Sequence, residues 1–314
     1  MSLYRDGADG AEYVGFHDLA ETHRQEIKDK WRSNEPRLRY VERLAQLGSP
    51  LTEGYRASLT CQAMHLINER GPRSKFHCGR PWCPNCRVTQ FGDRYYPYID
   101  GLRKLSEEGK ELYFLTLTTR RFQACQLEGR VQDMLSARTR VLNQIREKAR
   151  RQGSKLQCFW KVECAVDRLE GRPMFRPHIH LIVEGEANAE AILDRWCQEY
   201  MWCDRGDHHL VRIVKRLGGK YGHLSGVERS LAYLSKGIVD HNTVRPEDAD
   251  VIYQAFQGVH AHGGSRSLRT QDTREKCAES AEQLPDIGMV IMTLEGLVDG
   301  VTGELISGSD LSCL

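Results

Sequence analysis

The sequence has no apolar run near the roughly 20 residues that a bilayer's hydrocarbon core demands, which argues against a membrane-spanning helix. Its opening, MSLYRDGADG, has none of the basic-then-apolar order of a secretory signal, so a cytoplasmic protein is expected. No internal repeat and no low-complexity tract organises the chain. Disulfides are not expected either: in a reducing compartment the 11 cysteines, where they cluster, are better explained as metal ligands. Net charge is small, at +2, but it is unevenly spread. Residues 271 to 314 hold nine acids against two basic residues, a net of −7, which leaves +9 for the remainder. Residues 120 to 151 alone hold nine basic residues against three acids. A basic body with an acidic tail suits a polyanionic partner; it equally describes a solvated helix face and a solubilising tail.

The chain has 314 residues, 28% charged and 40% hydrophobic, the balance of a soluble globular protein with one large domain or two small ones. Residues 1 to 54 are polar and helix-forming (ETHRQEIKDKWRSNEPRLRYVERLAQLG) and are expected to be an N-terminal arm. Residues 55 to 92 hold a cysteine cluster. From 110 to 268 the pattern becomes regular. ELYFLTLTT reads as a strand. Residues 128 to 151 read as an amphipathic helix, with Val131, Met134, Leu135, Val141, Leu142 and Ile145 on one side. KLQCFWKVECAV and MFRPHIHLIVEG are strands joined by the turn RLEGRP. A helix (ANAEAILDRWCQEYMW), a strand (HHLVRIVKRL) and a helix (SGVERSLAYLSKGI) follow. The order β-α-β-β-α-β predicts an α+β, ferredoxin-like split βαβ fold: an antiparallel sheet with helices on one face and the other face open for a substrate. Residues 269 to 314 form the acidic tail, in which MVIMTLEGLVDGVTGELI resembles a hairpin.

Three groups of residues carry chemistry. In RPHIHLIV, alternation puts His178 and His180 on one strand face and Ile179, Leu181 and Val183 on the other. Two imidazoles so spaced can share one cation, and Glu163 on the preceding strand can join them. Two histidines and a carboxylate leave open positions that suit Mg²⁺, Mn²⁺ or Zn²⁺. In LAYLSKGI, Tyr233 and Lys236 are three apart and so neighbours on a helix; an ammonium beside a phenol favours the phenolate nucleophile. In HCGRPWCPNC, Cys78, Cys83 and Cys86 have the spacing of a structural zinc knuckle, with Cys61 as the fourth ligand and His65 or His77 as substitutes.

Together, CGRPWCPNC, FLTLTT, KVE, RPHIHLIV and YLSK, in that order over roughly residues 60 to 265, resemble the plasmid rolling-circle replication initiators, the single-tyrosine Rep proteins of the HUH endonuclease superfamily. The resemblance implies the HUH endonuclease fold with a small zinc module. It implies that His178 and His180 bind a catalytic Mn²⁺ or Mg²⁺, that Tyr233 attacks one DNA strand and keeps its 5′ phosphate, and that Lys236 supports that centre. Its substrate would be a single-stranded or cruciform plasmid origin, with host helicase and polymerase as further partners. Glu228 is the nearest acid for activating water at termination, but it precedes Tyr233 by five positions, about 140° away around an ideal helix. Arg120, Arg121, Arg138, Lys215 and Arg216 would hold the DNA backbone. Alternatives are a related relaxase or single-tyrosine transposase, a non-catalytic zinc-ribbon DNA-binding regulator, and a hydrolase of small molecules.

Overall fold

A computed structural model describes residues 15–59, 61, 64–68, 71–74, 78–83, 86, 98, 100–200, 208–213, 226–227, 230, 234, 237–269, 288–292, 296–299, 302 and 304–306. The chain divides into two compact units: residues 1–90 with 274–314, and residues 91–273.

In the first unit, α1 (Glu21–Ala45) and α2 (Thr52–Leu59) accompany β1 (Met64–Asn68) and β2 (Gly71–Ser74). Three C-terminal strands complete the sheet: β8 (Gly288–Met292), β9 (Leu297–Asp299) and β10 (Leu305–Ile306). The order is β10-β9-β8-β1-β2, antiparallel at each pair. The hairpin-like tail therefore does not stand apart: β8 pairs with β1 along Met64↔Ile291 to Ile67↔Gly288. Nor are the described residues of the expected arm, 15 to 54, a separate piece. Phe16, Leu19 and Ile27 share one buried cluster with Ile67, Val290, Met292, Leu297 and Ile306. Asp299, 2% exposed, accepts a bond from the Phe16 amide at 2.5 Å and another from the Thr302 amide at 2.9 Å, tying the segment before α1 to β9. The four-segment division expected from composition is thus redrawn. A run that looks polar along the chain still buries Ile27, Leu38, Val41 and Leu44, because a few apolar residues at helical spacing are enough for one packed stripe.

The second unit is mixed α and β around an antiparallel sheet. Its strands are β3 (Leu112–Thr118), β4 (Cys158–Leu169), β5 (Arg172–Glu184), β6 (His209–Ile213) and β7 (His262–Gly264), in the order β6-β3-β5-β4-β7. Helices α3 (Ala124–Arg151), α4 (Glu186–Glu199) and α5 (Pro246–Ala255) connect and flank them. Without β7, the first four strands lie fourth-first-third-second, with helices after the first and third. Leu115, Leu117, Ile179, Leu181 and Val183 are all 1% exposed or less. Burial of each contributes about 1.5–3 kcal/mol. α3 packs on β5 and α4 on β3, and the Trp196 indole donates to the Thr118 carbonyl at 3.1 Å.

The register of the β4–β5 hairpin is set at its turn. Glu170 (φ 50°) and Gly171 (φ 78°) both adopt left-handed backbone, as a two-residue type I′ loop requires, and close the pair Leu169↔Arg172. Six residues back on each side, that register sets Glu163 opposite His178, with Lys161 opposite His180. A slip of one residue would turn Glu163 to the other face of the sheet.

The expected open face is only partly open. Phe159, Ile182 and Leu112, on the histidine side, are buried in a cluster with Tyr98, Leu102, Val227, Leu234 and Leu268. The far end of that face carries large apolar side chains, and these need a cover of their own.

Candidate metal centres

At the other end of the histidine face, ligand atoms of Glu163, His178 and His180 all lie within 4.8 Å of one another. The His180 Nε2 is 3.4 Å and the His178 Nε2 3.7 Å from the Glu163 Oε2. Two ligands each about 2.1 Å from one cation at a tetrahedral angle would lie about 3.4 Å apart, so the donor set fits a shared ion. The outer hydrogen bonds agree. His178 Nδ1 is 3.1 Å from the Arg176 carbonyl, an acceptor only, so Nδ1 donates there and Nε2 is the nitrogen turned toward Glu163. His180 Nδ1 meets the Thr116 hydroxyl at 3.0 Å, which is consistent with the same tautomer.

Burial pushes the Glu163 carboxyl up, but the imidazoles of His178 and His180 and the Lys161 ammonium outweigh it and hold the group well below its ordinary 4.5. Desolvation, partly opposed by Glu163, lowers the His180 imidazole, which favours the neutral form that binds metals. Lys161 is the residue that sequence reasoning missed. Its ammonium lies 2.5 Å from Glu163 Oε1 and 3.3 Å from the Gly237 carbonyl, and the residue is 2% exposed. The signal was available: two residues before Glu163 on a strand, it must share that face.

Arg120 and Arg121 are exposed, just beyond the end of β3 where Thr118 pairs with His178. Arg121 bonds Asp167 at 2.6 Å, and Arg176 approaches the same carboxylate at 3.4 Å. Arg138 is a correction. Its guanidinium stacks 3.8 Å above the Trp160 ring, and Trp160 points away from the histidines, with Leu181. Desolvation there lowers it to about 10. The long side chain of a mid-helix arginine found an aromatic on the packed face of the sheet. Tyr233, Lys236, Glu228, Lys215 and Arg216 lie outside the described residues, as does His77; His65 lies on β1, but its side chain is not described.

In the first unit, the sulfurs of Cys61, Cys78, Cys83 and Cys86 also lie within 4.8 Å of one another. Cys86 is 3.3 Å from Cys61 and 3.7 Å from Cys78; four thiolates at 2.3 Å around a tetrahedral zinc would be about 3.8 Å apart. These four residues could hold a metal such as zinc. Backbone amides point at the sulfurs: Cys78 to Cys61 at 3.0 Å, Gly79 to Cys86 at 3.3 Å and Cys86 to Cys83 at 3.5 Å. Such donors stabilise thiolates. Hydrogen bonds from Cys61 and Cys83 hold Cys78 far below the ordinary thiol range, whereas the bond with Cys78 pushes Cys61 up to about 12. Trp82, 4% exposed, packs edge-on to Tyr55 and donates to the Ser58 hydroxyl at 2.9 Å, which in turn sits 3.6 Å from the Cys78 sulfur.

No helix among the described residues is long and apolar enough to cross a membrane. No family model, no curated protein and no solved structure matches the chain.

Proposed function

We propose that this chain is a metal-dependent single-strand DNA endonuclease and strand transferase of the HUH type, acting as a rolling-circle replication initiator in the cytoplasm. One observation carries the reading: His178, His180 and Glu163 converge within 4.8 Å on one face of an antiparallel sheet with the fourth-first-third-second strand order. A Mn²⁺ or Mg²⁺ ion held by these three residues would withdraw charge from the scissile phosphate. The phenol oxygen of Tyr233 attacks phosphorus and gives up its proton to solvent. The bond from phosphorus to the 3′ oxygen breaks, and that oxygen takes up a proton. The products are a 5′-phosphotyrosine and a free 3′ hydroxyl able to prime a polymerase. Because the ester stores the bond energy, rejoining at termination needs no ATP. Lys236 pairs with a phosphate oxygen, and Glu228 is the acid available to activate water. Leu234, buried in one cluster with Ile182, and the Gly237 carbonyl, 3.3 Å from the Lys161 ammonium, bracket the Lys236 position in sequence and support the assignment. Zinc on the four cysteines is structural. Arg120 and Arg121 contact the backbone of a single-stranded or cruciform origin, with helicase and polymerase following.

The test is incubation of the zinc-loaded chain with Mn²⁺ and labelled single-stranded circular DNA, read on denaturing gels. A covalent protein–DNA adduct is expected, lost in Tyr233→Phe and in His178→Ala or His180→Ala. The cysteine cluster alone also suits a non-catalytic DNA-binding regulator, which would retard DNA on native gels and leave no adduct.

A further inference from the structure

Lys161 is placed where a cation is unwelcome if the only purpose of the face is to bind a second one. It lies under the histidines on the central face of β4, 2% exposed, opposite His180, with its ammonium 2.5 Å from Glu163 Oε1. Glu163 Oε2 is the atom left facing the imidazoles. The buried Glu163–Lys161 pair therefore stands beside the imidazoles before any metal arrives. A buried carboxylate is stabilised by such a hydrogen-bonded partner.

We propose that Lys161 is a resident counter-charge: it holds the Glu163 carboxylate in place beside the two imidazoles in the metal-free protein, and by its charge it sets the affinity for the divalent cation low, so that the ion exchanges. This rests on the metal site of the proposed function. Two effects of Lys161 oppose one another. Orienting a ligand from the outer shell is worth about 10–100-fold in metal affinity. Repulsion works the other way: one unit charge 4 Å from another, at the effective dielectric of protein sites, is worth about a thousandfold, and the metal carries two. Solvent at His178, whose side chain is 13% exposed, reduces the second figure, yet it exceeds the first. Removing the ammonium therefore tightens the site.

The experiment titrates Mn²⁺ into the zinc-loaded full chain and follows free Mn²⁺ by electron paramagnetic resonance. Lys161→Met is expected to bind Mn²⁺ about tenfold or more tightly than the native chain. It should also gain more melting temperature from added Mn²⁺ than the native chain does. Lys161→Arg, which keeps the charge, should stay near native affinity. Should Lys161→Met not fold without the ion, the same comparison runs between Glu163→Gln, which keeps the buried ammonium, and Lys161→Met/Glu163→Gln, in which no buried charge is left behind; the double variant should bind more tightly. Equal or weaker binding on losing the lysine overturns the proposal, as does a native chain that binds no Mn²⁺ beyond its cysteine site. A short thymidine oligonucleotide added to the native chain separates the two ideas. Tighter Mn²⁺ binding in its presence supports the nuclease, and no response counts against the nuclease while leaving the charge comparison standing.

Discussion

Glu163→Gln tests the buried pair with almost no change of volume. It leaves the Lys161 ammonium, whose side chain is 3% exposed, facing a neutral amide. Removing one member of a buried ion pair costs about 3–5 kcal/mol, chiefly because the other charge stays behind. The unit Phe91–Thr273 has a size for which each kcal/mol moves the melting temperature by about 2–4 °C. The expected loss is therefore roughly 6–20 °C, read by calorimetry at pH 7 with no added divalent cation. The pH dependence has a definite sign. The folded-state carboxyl lies below its ordinary 4.5, so its contribution is present above 4.5 and drains away as pH falls below that value. Native and variant transitions should therefore converge in acid. A variant melting within about 2 °C of native at pH 7, or a gap that persists unchanged into acid, would refute the claim that this pair is a buried, mutually dependent ion pair.

Three further outcomes follow from the same geometry. Stripping zinc with a chelator, or Cys83→Ser, should remove amide-exchange protection from Gly288–Met292 as well as from the cysteine segment, because β8 pairs with β1, which begins three residues after Cys61; unchanged protection there would mean that the sheet stands without the metal. Arg138→Ala should leave single-stranded DNA affinity and its salt dependence unchanged, whereas Arg121→Ala should reduce the salt slope by about 0.7, measured by anisotropy across a salt series. Gly101→Ala should destabilise by about 1–3 kcal/mol in denaturant unfolding, since its new Cβ would lie 2.2 Å from the Leu268 carbonyl oxygen, a backbone atom that cannot swing aside.

Much of the candidate site is legible in one dimension because strand geometry has a period of two. In a strand His178 and His180 share a face whatever its neighbours, and so do Lys161 and Glu163. The cysteines are legible for a similar reason: a knuckle closes locally, so Cys78, Cys83 and Cys86 meet through short-range chain geometry, with Cys61 recruited from α2's end. The strand pairing of β4 with β5 is also local, since a two-residue turn decides it.

What the sequence determined by itself was periodicity and ligand chemistry: which side chains share a face, which sulfurs cluster, and where β3 to β6 and the two helices between them run. Tertiary structure decided what no local period encodes. It brought Phe16 and Leu19 into one core with Val290 and Ile306, put Arg138 on a packed face against Trp160, and covered half of the histidine face with Tyr98, Leu102 and Leu234. It also made Lys161 a buried partner instead of a surface charge. The reason is physical: alternation assigns a residue to a face, but only the packing of distant segments determines whether that face meets water, apolar side chains or another charge.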